Sequence, residues 1–223
     1  MSLNYVEDIS IRALRVRAWV RSVRLASGLS LLELEKKFAD SKKPSSSARS
    51  CIWDKYARGS VVPRIGKKPN GELHLANRVN NSYPDTLQWL VSPIWRLSDI
   101  APMSMIEIKE AFEGMPYLYR SIFIEAEYKT KGVFWRRDAD LESCFATLNK
   151  LDTIPAFIAL LTLVKEAELT QDQATHQSAF VEAISYEDKL SALPELEFIY
   201  EYLFDYLDQR LNHAGYFNNL SRN

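Results

Sequence analysis

Apolar positions recur at helical spacing along nearly the whole chain. Ala13, Val16, Val20 and Val23 lie at i, i+3, i+7 and i+10 with Trp19 beside them, which predicts a helix over about 9–27 with a core-facing stripe. Gly28 suits a left-handed stop for that helix, and Ser30-Leu-Leu-Glu33 has the form of a capping box opening the next. Leu31, Leu34 and Phe38 share one face of a helix over 30–39. Ile52 and Tyr56, four apart and followed by Gly59 and Pro63, predict a helix over 47–58. Trp53 and Tyr56 are the aromatic plugs of a small N-terminal core. Leu75 and Val79 predict a helix over 72–81, and Leu87 with Trp89 a short one over 85–90.

The segment 93–116 is broken by Pro93, Pro102, Gly114 and Pro116, yet Ile94, Trp95, Met103 and Ile106 are too apolar for a free linker. It reads as a soft boundary packed on both sides. Beyond it, helices are predicted over 117–129, 138–151, 154–168, 170–185 and 195–211, with Asp138 and Thr170 as candidate N-caps. The last carries Phe198, Tyr200, Tyr202, Phe204 and Tyr206 among leucines, so it is expected at the centre of a bundle or shared in a homodimer. The fold expected is all-α, with an N-terminal domain over 1–92 and a helical region over 93–223.

Charge divides along the same line. Residues 1–83 hold 16 Lys and Arg against 7 Asp and Glu, and residues 84–223 hold 12 against 22, so a net charge of -1 conceals a basic half and an acidic half. A basic half suits a polyanion, although two opposite halves also attract each other. Arg17, Arg21 and Arg24 fall on one flank of the first helix, as a phosphate rail or a solvated face. Lys42, Lys43, Ser46, Ser47, Arg49 and Ser50 lie in a Lys/Pro/Ser loop and at the start of the 47–58 helix, where hydroxyls, free amides and cations hold phosphate oxygens; a plain surface loop has the same composition. Lys55 and Arg58 flank the two aromatics, and Lys68 belongs to a basic loop between Arg64 and Gly71.

The set Arg24, Gly28, Leu29, Ser30, Leu34, Trp53, Tyr56, Arg58, Gly59 and Pro63 resembles the lambda-repressor-like helix-turn-helix family over roughly residues 13–90. In that family a Gly-Leu-Ser segment opens the first motif helix and a Trp/Tyr-x-x-Gly-x-x-x-Pro segment closes the second. The loop over 39–47 is longer than the family's tight turn, which would displace the recognition helix. The wider pattern through Tyr83-Pro84 and Pro93-Ile-Trp95 also resembles uncharacterised bacterial proteins, which carries no function with it. The resemblance implies five helices in the N-terminal region and double-stranded DNA as the partner.

Motifs for catalysis are missing. His74, His176 and His213 stand alone, no HExxH, CxxC, GxSxG or GxxxxGK pattern occurs, and the acidic pairs Glu125/Glu127 and Asp138/Asp140/Glu142 diverge on a helix, so neither an enzyme, a metal nor a cofactor is expected. Cys51 and Cys144 lie far apart without metal-ligand spacing, no charged-then-apolar leader opens the sequence, and the apolar run 154–164 is short of the roughly 20 residues of a membrane span, which together suggest a cytoplasmic protein without a membrane anchor. The expected function is regulatory DNA binding with C-terminal homodimerisation or partner contact; the effector is not indicated. The alternative is an interaction module, such as a component of a bacterial defence or toxin-antitoxin system, with the helix-turn-helix shape kept as scaffold.

Overall fold

The computed structural model of the protein describes residues 7–39, 51–124, 140–151 and 153–212, with side chains as far as 209. Among them the architecture is all-α, and an antiparallel bridge between Lys67 and Leu73 extends into no strand. The N-terminal helices are α1 (Ile9–Ser27), α2 (Leu31–Lys37), α3 (Ile52–Ala57), α4 (Leu75–Ser82) and α5 (Gln88–Val91). Then come α6 (Pro93–Ser98), α7 (Met105–Glu113), α8 (Tyr117–Phe123), α9 (Leu141–Leu148), α10 (Thr153–Thr170), α11 (Gln173–Ile184), α12 (Glu187–Ser191), a 3-10 turn (Pro194–Leu196) and α13 (Tyr200–Asn212).

Local signals place the early boundaries. Asp8 caps α1 through Ser10 N at 2.7 Å, and Gly28 ends it at φ 68 with its N–H donating to Arg24 O. Both arms of the Ser30/Glu33 capping box are present, and the hydrogen bonds from the Ser30 hydroxyl and backbone hold the Glu33 carboxyl below its ordinary range. A second box, Ser104 with Glu107, opens α7 inside the expected boundary segment. That segment is therefore helical, and α6 packs against both α1 and α10.

Four expected helices begin elsewhere, for one physical reason. Cys51, Asp85, Gln171 and Phe198 adopt φ between 52 and 66, a left-handed conformation that no α-helix passes through. The helix expected over 47–58 therefore starts at Ile52, the one over 85–90 at Gln88, and the last one at Tyr200 after the 3-10 turn. Asp172, not Thr170, caps α11, with its carboxylate accepting from Thr175 N at 3.0 Å and Thr175 Oγ1 at 2.6 Å. Asp140 caps α9 through Ser143 N; Asp138 lies outside the described residues.

The centre of the molecule is α10, buried almost continuously from Ala156 to Glu168, because its apolar positions leave no solvent face. Central burial was expected for the last helix instead. That helix, α13, buries Leu203, Phe204 and Leu207 and turns Glu201, Asp205 and Asp208 outward. The hairpin of α10 and α11 carries α6, α7 and α12 around it, while α1 sits on α3, α5, the 3-10 turn and α13. The two halves share one continuous core.

Within that core Tyr186 is fully buried against Phe157, and its hydroxyl has no hydrogen-bond partner among the described residues. Burial pushes its phenol up to about 12, with the Glu182 carboxylate and Tyr119 adding to the effect. The folded state thus holds this proton more tightly than the unfolded chain, where the phenol ionises at about 10.0. The associated stability is complete below pH 10 and is lost between about 10 and 12, at about 1.4 kcal/mol per pH unit. Tyr186→Phe removes an unsatisfied hydroxyl, and we expect a gain of about 1 kcal/mol near neutral pH and a shallower alkaline decline in urea titrations. Equal declines in the two proteins would refute the assignment.

Candidate nucleic-acid interface

The helix-turn-helix-like region is held by stacked aromatics. Trp19 of α1 lies on Trp53 of α3 at 5.4 Å and 14°, while Tyr56 meets both edge-on at 5.6 and 5.9 Å. Phe38 at the end of α2 closes the group 6.1 Å from Trp53. Trp53 and Tyr56 are buried, so i+3 spacing on α3 turns Lys55 and Arg58 to solvent. Burial raises the Tyr56 phenol, partly countered by Arg64.

Gly59 allows α3 to seat this closely. It has φ +71, and a Cβ there would stand 2.6 Å from Ala13 Cα and 2.7 Å from Ala13 O, both backbone atoms of α1. Only glycine meets both conditions without displacement.

The basic residues fall into separate groups. Arg17 lies 5.1 Å over the Tyr202 ring of α13, and Arg21 donates through Nε to Pro194 O at 3.1 Å and pairs with Glu197. This flank faces the acidic half, because the 3-10 turn and α13 dock along α1. By contrast, Lys55, Arg58, Arg64 and Lys67 are exposed and enter no ion pair among the described residues. Lys36 and Lys37 are exposed at the C-terminus of α2, where Lys37 donates to Tyr83 OH at 2.7 Å. Lys68 is half-buried and pairs with Glu72 at 3.2 Å within a tight turn, which is tied to α4 by Gly66 N donating to Asn77 Oδ1 at 2.6 Å.

Lys42, Lys43, Ser46, Ser47, Arg49 and Ser50 lie outside the described residues. The first turn of α3 is Ile52–Asp54, so Ser47, Arg49 and Ser50 precede α3 instead of forming its start.

Two polar features escaped the sequence reading. Lys165, which directly follows the apolar run 154–164, is 1% exposed and donates to Asp99 O at 2.6 Å and Ala101 O at 3.0 Å, with Glu168 3.1 Å away. His176, which stood alone in sequence, is 3.6 Å from that same Glu168. Lysine and glutamate at i and i+3 could have signalled the ion pair, but nothing local announced the Asp99 turn that covers it. The other feature is a cavity bordered by Glu7 and Arg15 at the α5–α6 junction.

Among the described residues, no group of three or more His, Cys, Asp or Glu residues is placed to hold a metal, and no helix is long and apolar enough to cross a membrane. Fold and surface together define an all-α protein with exposed cations on one part of its N-terminal half. The chain matches no family model, no curated protein and no solved structure.

Proposed function

We propose that the protein binds double-stranded DNA through the exposed side of α3 and the loop that follows it, in a regulatory role. The observation carrying this reading is the uneven neutralisation of its cations: the acidic half engages Arg17 and Arg21, whereas Lys55, Arg58, Arg64 and Lys67 stay exposed and unpaired among the described residues. Exposed cations with compact helical backing meet phosphates without specifying sequence, and base readout would need groups entering the groove beside them. Homodimerisation through the C-terminal helices belongs to the same proposal, supported by exposed Phe198 and Tyr202, 65% and 54% accessible.

The test uses the full chain and mixed duplex fragments across a salt series. Each neutralised phosphate adds about 0.9 to the magnitude of the slope of log K against log salt, so Lys55→Ala with Arg58→Ala should reduce that magnitude by about 2. Arg17→Ala should leave it unchanged. Light scattering on the same sample reads the oligomeric state. Absence of any salt-sensitive shift at about 50 mM salt, where non-specific binding is strong, removes the DNA reading and leaves the interaction module.

A further inference from the structure

The first turn of α3 is Ile52, Trp53 and Asp54: a half-buried apolar side chain, a buried ring and a carboxylate. A helix that reads bases enters the major groove by its N-terminal residues, and this turn brings no side-chain cation there and sets a negative charge among phosphates. Lys55 and Arg58, exposed further along, suit the phosphate backbone. Base contacts therefore fall to another element.

The chain between α3 and α4 is held at both ends. On the α3 side Gly59 N donates to Tyr56 O at 2.9 Å and Ser60 N to Lys55 O at 3.0 Å, and Pro63 is buried. On the α4 side a small hairpin closes through Lys68 N to Glu72 O at 2.7 Å and His74 N to Gly66 O at 2.9 Å, with Gly66 N donating to Asn77 Oδ1 at 2.6 Å. Pro69 and Gly71, the latter at φ 82, supply its turn. Arg64 stands between these anchors, outside any helix, exposed and in no ion pair among the described residues. Burial raises the Tyr56 phenol and the Arg64 guanidinium opposes it, which puts Arg64 within electrostatic reach of α3. Ile65 beside it is 44% exposed.

We propose that Arg64 enters the minor groove of the duplex on which α3 rests and selects A·T-like over G·C steps, with Ile65 against the sugar walls of the groove. This inference rests on the DNA reading and adds a specificity-determining residue to it. Dimensions decide the groove: the minor groove is about 6 Å wide and a helix with its side chains about 10–12 Å across, so extended chain fits where α3 does not. Hydrogen bonding decides the base pair. A guanidinium is all donors; the minor-groove edge of A·T offers only acceptors, whereas G·C adds the guanine 2-amino donor. The narrow groove of A·T-rich tracts also concentrates negative potential, which draws arginine.

The test titrates the full chain, across a salt series, with duplexes of one sequence carrying guanine, inosine or 7-deazaguanine. Inosine lacks only the 2-amino group in the minor groove, and 7-deazaguanine only the N7 acceptor in the major groove. The inosine duplex should bind about fivefold or more tightly than the guanine duplex, and 7-deazaguanine should match guanine. Arg64→Ala should abolish the inosine preference and reduce the magnitude of the salt slope by about 1. Arg64→Lys should keep the slope and lose most of the preference, because an ammonium is a point charge without the planar fork. Lys55→Ala with Arg58→Ala should lower the slope and keep the preference. Salt-sensitive binding with equal affinity for guanine and inosine, a preference that survives in folded Arg64→Ala, or weakening by 7-deazaguanine alone would overturn the assignment while the DNA reading stands. Absence of salt-sensitive binding to every duplex would remove both.

Discussion

Gly59→Ala is expected to destabilise the protein by about 3 kcal/mol or more, from two costs that arise at one carbon. The first is conformational: φ +71 is left-handed and costs an alanine about 1–2 kcal/mol. The second is steric. A Cβ would overlap Ala13 Cα at 2.6 Å and Ala13 O at 2.7 Å, and these backbone atoms belong to a helix that also holds Trp19 and Val20 in the core. Overpacking of this kind costs about 1–3 kcal/mol, because neither helix can withdraw without breaking the Trp19–Trp53 stack. Gly28→Ala is the internal control, since its φ is +68 but nothing lies within 4 Å of the added carbon. It should lose only the conformational part. Urea midpoints that fall equally in the two variants would show that the close approach of α3 to α1 carries no energy.

Lys165→Met should cost about 3–5 kcal/mol, although methionine nearly preserves the buried volume. The ammonium is the common donor to Asp99 O and Ala101 O and stands 3.1 Å from Glu168, so it ties the turn between α6 and α7 to the central helix. Its removal takes that counter-charge from a carboxylate that is 8% exposed and one donor each from Asp99 O and Ala101 O, of which Ala101 O keeps Arg96 Nη1 at 3.1 Å. Most of the loss should come from the Glu168 carboxylate losing its lysine partner. Lys165→Met with Glu168→Leu is therefore expected to be more stable than the sum of the single changes by about 1–3 kcal/mol in a double-mutant cycle. A single variant within about 0.5 kcal/mol of the parent would mean that the buried ammonium is dispensable.

Much of the helical content was legible because it rests on neighbours in the chain. The valine stripe of α1, the stop at Gly28 and the Ser30/Glu33 box all act within a turn or two, and the structure has them where the pattern put them. Ser104/Glu107 carries the same signal, but it lies between Pro102 and Pro116, which interrupt the periodicity around it. The missed starts at Cys51, Asp85, Gln171 and Phe198 are of another kind. A left-handed residue that is not glycine has no mark in the sequence, since the surrounding contacts impose the conformation against its own preference.

The candidate site divides similarly. That Lys55 and Arg58 face solvent follows from i+3 spacing and the burial of Trp53 and Tyr56, so short-range periodicity was enough. That Arg17 and Arg21 do not form an open rail depends on Pro194, Glu197 and Tyr202, more than 170 residues away, being laid along α1. Similarly, α10 and α13 both looked apolar enough for the centre. The centre went to α10 because neighbouring helices cover it on all sides, while α13 was left one acidic face in water. The sequence by itself determined the helices, their early caps and the separation of charge, because propensity, capping and composition are properties of adjacent residues. Which cations remain free, which lysine is buried, and where a cavity opens beside Arg15 were decided only by tertiary packing, because burial and pairing depend on groups that chain folding alone brings within a few ångströms.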